Sequence, residues 1–395
     1  MELLRKPQLR FKGFEDDWEQ RKLGNVFKEY VEKNHEELPA LTIVQGGGTV
    51  LRDESNRNLQ YDKTSLSHYK MVCKEDFIVH LRSFEGGLEK ANHKGLISPA
   101  YHTFHGDNVD SRFYYPYFRS HVFINQKLVP HVYGIRDGRS IDIPGMKTIE
   151  IPYTSVDEQK KIGDYIDTLD ELITLHQRKY DVLCNVKKSM LEKMFPKNDE
   201  KVPEIRFEGF EDDWEQRKLG EITDSYSGGT PTAGKKEYYD GNIPFIRSGE
   251  ISGDKTELFI TEIGLNSSSA KMVNEGDILY ALYGATSGEV SISKLKGAIN
   301  QAILAMLPRQ DYDSKFIMQW LRKSKESIIN TYLQGGQGNL SGNIVKELLV
   351  DLPIYEEQRK IGNCFEQIDD LITLHQRELE KLKSIKKSCL EKMFV

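Results

Sequence analysis

The 395-residue chain contains only four cysteines, and no two of them have the CxxC spacing of a zinc site. Wide separation also fits the reduced thiols of an intracellular protein better than a disulfide framework. The sequence therefore predicts unpaired thiols in a core or at a helix seam, and no metal site, for Cys73, Cys184, Cys364 and Cys389.

Long hydrophobic runs are also missing. No window approaches the 18 apolar residues that a transmembrane helix needs, and the first ten residues, MELLRKPQLR, lack the apolar core of a signal peptide. Neither secretion nor membrane insertion is expected, and we predict a cytoplasmic protein.

The chain has no excess of positive charge. Its formal net charge of -6 disfavours nucleic-acid binding when taken alone, because contact with phosphate needs lysine and arginine. The charge is unevenly distributed, however: residues 63–139 contain 11 basic and 7 acidic residues, whereas much of the acid lies in two repeated EDDW elements and along the segments of two predicted long helices. A locally basic surface on an acidic chain is compatible with this distribution.

Two short segments resemble catalytic motifs without completing them. GTPTAGKK at 229–236 has the length of a phosphate-binding P-loop but differs from it at one residue, with Lys236 where that loop needs serine or threonine for magnesium. Glu158-Gln159-Lys160 contains the E-x-K fragment of many nucleases, but its second copy is Glu357-Gln358-Arg359 and both begin predicted helices. We interpret the first as a glycine-rich loop and the second as a helix-opening element.

Other catalytic signals are absent from the sequence. His102 and His105 have no cysteine or acidic cluster to complete a metal site, and the chain lacks the N-P-P-[FYW] or D-P-P-[FYW] loop of amino-methyltransferases. We therefore expect no catalytic residues, no metal and no cofactor in this chain.

The chain does contain an internal duplication. RFKGFEDDWEQRKLG at 10–24 returns at 206–220 with one change, Lys12 against Glu208, and LITLHQR and LEKMF also occur twice. Between these repeats the two halves diverge. A duplicated framework that holds two different inserts suits a protein that must present two recognition surfaces at a fixed separation.

Each half ends in a predicted helix of about 40 residues, or roughly 60 Å. Residues 156–195 contain no proline and one glycine, and apolar or histidine side chains recur every seven residues in both helices. The expected second row of the first helix is Tyr165, Leu172 and Val186, with Ile166, Ile173, Tyr180 and Met194 beside them. In the second helix it is Phe365, Leu371, Ile372, Leu379 and Ile385. The predicted seam positions are Ile162, Leu169, His176, Leu183 and Met190, with Ile361, Ile368, His375, Leu382 and Cys389.

We predict that these helices pair as an antiparallel coiled coil, since a stripe of this length would overhang a globular insert. The alternative is two separate amphipathic helices, each on its own domain. In the paired arrangement His176 and His375 would help to fix the register. The repeat also predicts a circular arrangement in which Phe394 lies near Phe11.

The inserts contain strand-like runs at 77–81, 121–124, 243–246, 277–283 and 302–307. Weak similarities in the same order indicate a shared fold: EDFIVHL with EGDILYAL, GLISPAY with GAINQAI, and DSRF with DSKF. The predicted class is α+β, with two pseudo-twofold-related mixed α/β domains separated by the two long helices. The expected boundaries are 1–154, 155–196, 197–354 and 355–395.

Several insert loops combine hydrogen-bond donors with planar side chains, the composition that binds base edges and phosphates. The candidate contacts are Arg82, Ser83, Arg112, Tyr114, Arg136 and Arg139 in the first insert, and Thr230, Lys235, Lys236, Arg247, Tyr283, Thr286, Gln334, Gln337 and Asn339 in the second.

At this level of detail the chain resembles the DNA-specificity (S) subunits of type I restriction-modification systems. The resemblance rests on the duplicated GFEDDWEQRKLG, on SGGTP followed by EYYDGNIPFIRSGEI, on GLISPAY and NQA, and on EQKKIG and EQRKIG at the helix starts. It covers essentially the whole chain.

The resemblance implies that each insert is a target-recognition domain for one half of a split, asymmetric DNA site, and that the coiled coil sets the spacer. It further implies binding to double-stranded DNA and to two methyltransferase and two restriction subunits, without activity in this chain. S-adenosylmethionine, ATP and magnesium would then be bound by those partners.

Two other classes remain as alternatives. The chain could be an enzyme with its own recognition domains, which a catalytic motif would reveal, or a protein-protein scaffold built on the coiled coil. Binding to a specific duplex separates the scaffold from the recognition subunit.

Overall fold

The computed structural model describes residues 6–54, 63–134, 139–197, 200–333 and 339–394. The chain forms two compact units. The first comprises Met1–Gln177 and Arg377–Val395, and the second comprises Arg178–Gln376. Within the described ranges, no helix combines the length and the apolar character needed to cross a membrane.

The first unit consists of short strands and helices followed by a long helix. Its strands are β1 Glu19–Lys22, β2 Phe27–Tyr30, β3 Leu41–Val44, β4 Gly48–Leu51, β5 Lys70–Val72, β6 Phe77–Val79, β7 Glu89–Lys90, β8 Gly95–Ile97, β9 His102–Gly106, β10 Val132–Tyr133, β11 Ser140–Ile141 and β12 Glu150–Tyr153. Its helices are α1 Leu23–Val26, α2 Ser83–Gly86, α3 Ser111–Phe118, α4 Ile143–Met146 and the start of α5 Val156–Lys193, with a π-helical segment at Val122–Leu128.

The second unit repeats this order. Its strands are β13 Glu215–Lys218, β14 Thr223–Ser227, β15 Tyr239–Ile246, β16 Phe259–Ile260, β17 Lys271–Val273, β18 Ile278–Ala281, β19 Val290–Ile292, β20 Gly297–Ile299, β21 Ile303–Pro308 and β22 Leu349–Leu352. Its helices are α6 Leu219–Ile222, α7 Glu262–Asn266, α8 Ser314–Leu333, α9 Gly342–Lys346 and the start of α10 Tyr355–Met393.

One four-stranded sheet has the same topology in the two inserts, while the remaining strands are grouped differently. The four-stranded sheets have the orders β2-β9-β6-β7 and β14-β21-β18-β19, and the first strand of each repeat pairs with the last strand before the long helix, β1 with β12 and β13 with β22. Strands β5 and β8 pair antiparallel, as do β17 and β20. The predicted common fold of the inserts is confirmed.

One predicted strand is wrong. Residues 121–124, HVFI, are helical, because the chain enters the π-helical segment at Val122 and buries Phe123 and Ile124 in the core of the first unit. Phe123 packs against Tyr117 and Phe118, with ring centroids 5.5 and 4.9 Å apart. At this position, burial against a neighbouring helix outweighs the strand propensity of the residues.

Both long helices form as predicted, and they run antiparallel within each unit. In the first unit the start of α5 meets the end of α10, where Lys386 pairs with Asp170 and the Tyr165 hydroxyl lies 3.8 Å from Cys389 Sγ. In the second unit the end of α5 meets the start of α10, where Lys187 Nζ lies 2.5 Å from Asp369 Oδ1.

All ten predicted seam residues are buried or half-buried, but three residues of the expected second row are not. Leu172, Val186 and Leu371 are 38%, 42% and 45% exposed. Two residues that the sequence places beside this row do continue the stripe. Ile166 is buried and Ile173 is half-buried, and they follow Ile162 and Leu169 by four residues, which turns the stripe away from Leu172.

The first unit brings the beginning and the end of the chain together. The Leu9 amide donates to the Lys392 carbonyl at 3.1 Å, and Phe11 and Phe394 pack on the same core. The predicted proximity of these two phenylalanines is confirmed.

Candidate nucleic-acid interface

The repeated opening motif has a structural role in the first unit. Glu158, at the start of α5, has a fully buried side chain that accepts hydrogen bonds from Arg10 Nε at 2.6 Å and Nη2 at 2.9 Å. Trp18 Nε1 donates to it at 3.0 Å, and the Thr154 hydroxyl also donates. This buried carboxylate thus ties the motif to the long helix.

The second unit keeps the clamp in a reduced form. Arg206 Nε and Nη2 each donate to the fully buried Glu357 at 2.8 Å. Pro353 stands where the first unit has Thr154, and Trp214 Nε1 has no partner within the described residues.

Each insert is fixed to its long helix by the residue after the clamp. Gln159 accepts from the Asp110 amide at 2.9 Å, and Gln358 accepts from the Asp313 amide at 3.0 Å. These amides open the DSRF and DSKF segments that the sequence comparison pairs. The clamp and this contact orient the rest of the insert.

In the second insert several polar side chains converge at one end of the sheets. Strands β15 and β20 run parallel, with Ile246 beside Ile299, so Arg247 and the following Asn300-Gln301 segment leave at the same end. Thr230 Oγ1 donates to Gln301 Oε1 at 2.6 Å. We call this region the second edge, and it consists of Thr230, Arg247, Tyr283, Gln301 and Asn339.

Strand β18 brings the remaining members to the second edge. The Leu282 amide donates to the Ala302 carbonyl at 2.8 Å, which places the next residue, Tyr283, near Gln301. A bridge in turn joins Tyr283 to Asn339. The edge therefore combines arginine, threonine, amide and tyrosine side chains, which can donate to and accept from base edges.

The first insert carries a different set of residues at the equivalent end, beyond β5 and β8. Arg52 donates to Thr42 Oγ1 at 3.4 Å, and its guanidinium lies 5.7 Å from the Tyr69 ring. Lys70 Nζ donates to the Tyr101 carbonyl at 2.5 Å. We call Arg52, Tyr69, Lys70, His80 and Tyr101 the first edge; the rings of His80 and Tyr101 are 6.2 Å apart.

Burial shifts the pKa of three side chains of the first edge. It lowers the pKa of the Lys70 ammonium and of the His80 imidazole, and it raises the pKa of the Tyr101 hydroxyl. His80 Nε2 is buried and has no hydrogen-bond partner in the described part of the chain. The first edge is thus basic and aromatic, with donors held close to apolar surface.

The contacts predicted from the sequence include none of the five residues of the first edge, and they omit Gln301 of the second edge. A signal for them existed, since Tyr101 ends the GLISPAY segment and Lys70 begins a KMV triplet that returns at Lys271. The GAINQAI counterpart of GLISPAY contains Gln301.

Of the predicted contacts in the second insert, Thr230, Arg247, Tyr283 and Asn339 belong to the second edge. Thr286 lies in the turn after Tyr283 and is half-buried. Lys235 and Lys236 are exposed farther along the β14–β15 connection that also carries Thr230, and Lys235 Nζ lies 3.0 Å from the Tyr238 hydroxyl. Gln334 and Gln337 lie outside the described residues.

Two predicted contacts in the first insert are wrong. Ser83 is fully buried and accepts from the His80 amide at 2.9 Å, while Tyr114 is fully buried and donates to the Pro152 carbonyl at 3.0 Å. A third predicted contact, Arg112, is partly exposed and pairs with Asp110, Asp164 and Asp167, so its guanidinium fastens α3 to α5.

Arg82 is exposed two residues beyond His80, at the rim of the first edge. Arg139 is also exposed; it lies 4.5 Å above the Phe84 ring and 3.5 Å from Glu85. Arg136 lies outside the described residues.

With this geometry in hand, comparison with known proteins identifies the family. The model of the type I restriction modification DNA specificity domain matches residues 15–185 and again 211–384. Each match covers one insert and most of the long helix that follows it. The chain belongs to the type I restriction modification DNA specificity family.

Individual relatives are distant. The chain is 24% identical over 266 residues to the type I restriction enzyme MjaVIII specificity subunit of Methanocaldococcus jannaschii, covering 63% of this chain and 62% of that protein. It is 27% identical over 191 residues to the MjaIX specificity subunit of the same organism, covering 46% and 44%. The chain thus spans less than two thirds of the length of these curated relatives.

The fold is shared over a greater length. The crystal structure of a type I restriction-modification S subunit from M. genitalium matches with a TM-score of 0.67 at 18% identity and covers 99% of both chains. This likeness supports the predicted α+β fold class with its long helices.

Proposed function

We propose that this chain is the sequence-recognition subunit of a type I restriction-modification complex. The observation that carries the proposal is the twofold match to the DNA specificity domain, one match for each insert. In this proposal each insert recognises one half of a bipartite, asymmetric site in double-stranded DNA. The long helices set the spacer and dock the partner subunits.

The different chemistry of the two edges supports an asymmetric site. The first edge offers Arg52, Lys70 and tyrosines, whereas the second offers Thr230, Arg247, Gln301 and Asn339. Different donor and acceptor sets select different bases. The two half-sites should therefore differ in sequence.

The chemistry of the complex would belong to its partners. We propose two methyltransferase subunits, which bind S-adenosylmethionine and modify adenine N6, and two restriction subunits, which bind ATP and magnesium. The chain itself would be non-catalytic and would contribute recognition and positioning.

The test is to map methylated adenines in DNA treated with the full chain, its methyltransferase partner and S-adenosylmethionine. The expected result is one motif with two unlike blocks and a fixed spacer. An unbroken motif, or methylation without sequence preference, would contradict the proposal. Retention of a specific duplex by the complex further separates recognition from a scaffold role.

A further inference from the structure

Arg247 of the second edge is held in place by a neighbouring carboxylate. Its Nε lies 3.0 Å from Glu250 Oε2 and its Nη2 lies 2.8 Å from Glu250 Oε1, a two-point contact that fixes the plane of the guanidinium. Glu250 is in turn held by the Arg247 and Glu257 amides, each at 3.1 Å, and by the Thr256 hydroxyl at 3.2 Å.

Glu250 is suited to a fixed supporting role. Only 17% of its side chain is exposed, and the hydrogen bonds from Arg247 lower the pKa of its carboxyl to about 2. The carboxylate stays charged at any pH used for DNA binding.

A second carboxylate contacts the outer side of the same guanidinium. Glu257 Oε2 lies 2.6 Å from Arg247 Nη2, but 82% of the Glu257 side chain is exposed. An ion pair this exposed is weak and readily exchanged. Once Glu257 moves aside, Nη1 and Nη2 together present two parallel N–H groups; among the described residues Nη1 has no acceptor.

We propose that Glu250 positions Arg247 to contact a guanine, and that Glu257 occupies the place which the guanine takes when DNA binds. Two parallel N–H groups match the O6 and N7 acceptors of guanine in the major groove. The two flanking carboxylates disfavour a phosphate at this place, because they would repel its charge. This inference rests on the proposed function and adds one specificity-determining pair to it.

The experiment uses the full chain with its methyltransferase partner, S-adenosylmethionine and a randomised duplex library, and methylated products are sequenced. The wild type and the variants Glu250→Gln, Glu257→Gln and Arg247→Lys are compared. Arg247→Lys keeps the charge and loses the paired donors. Glu257→Gln alters an exposed side chain and serves as the matched control for loss of one carboxylate.

The wild-type motif should contain one guanine that Arg247→Lys and Glu250→Gln each disfavour by about ten-fold or more relative to the other bases, with all other positions unchanged. Glu257→Gln should keep the motif and raise methylation at limiting DNA about two- to five-fold, the size of a surface ion pair.

Several results would overturn the inference. Guanine preference retained in both Arg247→Lys and Glu250→Gln excludes base contact, and weaker binding to every sequence alike indicates a phosphate contact instead. A lower methylation rate or a changed motif in Glu257→Gln excludes the proposal that guanine takes the place of Glu257 beside Arg247. If the wild type itself shows no motif, the proposed function has failed, and that result is distinct from failure of this inference. If Glu250→Gln does not fold, Arg247→Lys still decides whether Arg247 contacts a base.

Discussion

Equivalent arginines make different contacts in the two units: one pairs within its own insert, and the other pairs with a long helix. In the first unit Arg119 follows α3 and pairs with the fully buried Glu89, which also accepts from the Tyr115 hydroxyl and from the amides of Gly46 and Gly48. The first insert thereby fastens its own glycine-rich hairpin turn.

In the second unit the corresponding Arg322 lies within the longer helix α8 and pairs with Asp369 of α10 at 2.8 Å. Gln319 Nε2 donates to the same carboxylate at 3.2 Å, whereas Pro116 stands at that position in the first insert. Helix α8 continues for 20 residues where α3 ends after eight.

The comparison shows where divergence begins. The contacts next to the long helix are kept in both copies. They are the clamp arginine, its buried glutamate, and the glutamine that accepts from the amide of the residue just before α3 or α8. Beyond the first turn of those helices the inserts differ in length and in partners. A duplicated protein can change its recognition surfaces only where the framework contacts do not depend on them.

The largest expected effect tests this division directly. Replacing residues 25–150 with the insert of another family member should replace one half-site completely and leave the other half-site and the spacer unchanged, because the clamp residues stay in place. Methylation mapping of the chimaera checks this. A change in both half-sites would show that the inserts are not independent.

The next effect concerns the helices alone. Deleting one heptad from each long helix removes about 10 Å at 1.5 Å per residue and keeps the seam in register, so the spacer should shorten by about three base pairs. Both half-sites should persist in the methylation map. Deleting five residues from each helix turns the apolar stripe by about 140°. This is the matched control, and it should abolish activity.

The framework contacts could be predicted only in part from the sequence. Exact repetition and seven-residue periodicity define both long helices and the equivalence of the inserts, because those signals are local. The clamp joins Arg10 to Glu158 across 148 residues, and no local pattern pairs them. Repetition of both residues in the second half was the available clue.

The candidate contacts were harder to predict, because the same residue types serve the core and the surface. Tyr114 and Arg112 have the composition of a binding loop, yet one lies in the aromatic core and the other pairs with acids on α5. The edges appear only when parallel and antiparallel neighbours place separate loops at one end of the sheets.

The clamp offers a comparison of stability between the units. Arg206→Ala leaves Glu357 buried without another donor among the described residues, and should destabilise the second unit by about 3–5 kcal/mol. The loss of unfolding free energy caused by Arg10→Ala in the first unit should be smaller than that caused by Arg206→Ala by about 1.5–3 kcal/mol. The reason is that Glu158 still accepts hydrogen bonds from Trp18 and Thr154.

Hydrogen exchange followed peptide by peptide measures each unit separately. Arg217→Ala removes the exposed pair with Glu215 and should change protection little. Equal losses in the two clamp variants would mean that the extra donors of the first unit do not stabilise its glutamate.

The smallest expected effect separates phosphate contacts from base contacts within the second insert. Lys235 is an exposed point charge that follows Thr230 on the β14–β15 connection, so Lys235→Ala should weaken binding to all duplexes alike and reduce the slope of log affinity against log salt by about one. Lys236→Ala should do the same. Lys294, which is also exposed, is the control residue and follows β19. The last residue of β19, Ile292, pairs with the first residue of β18, Ile278, so Lys294 lies near the end of β18 that is opposite Tyr283. Lys294→Ala should leave the slope unchanged. If Lys235→Ala instead alters the base preference and leaves the salt slope unchanged, Lys235 belongs to the recognition surface.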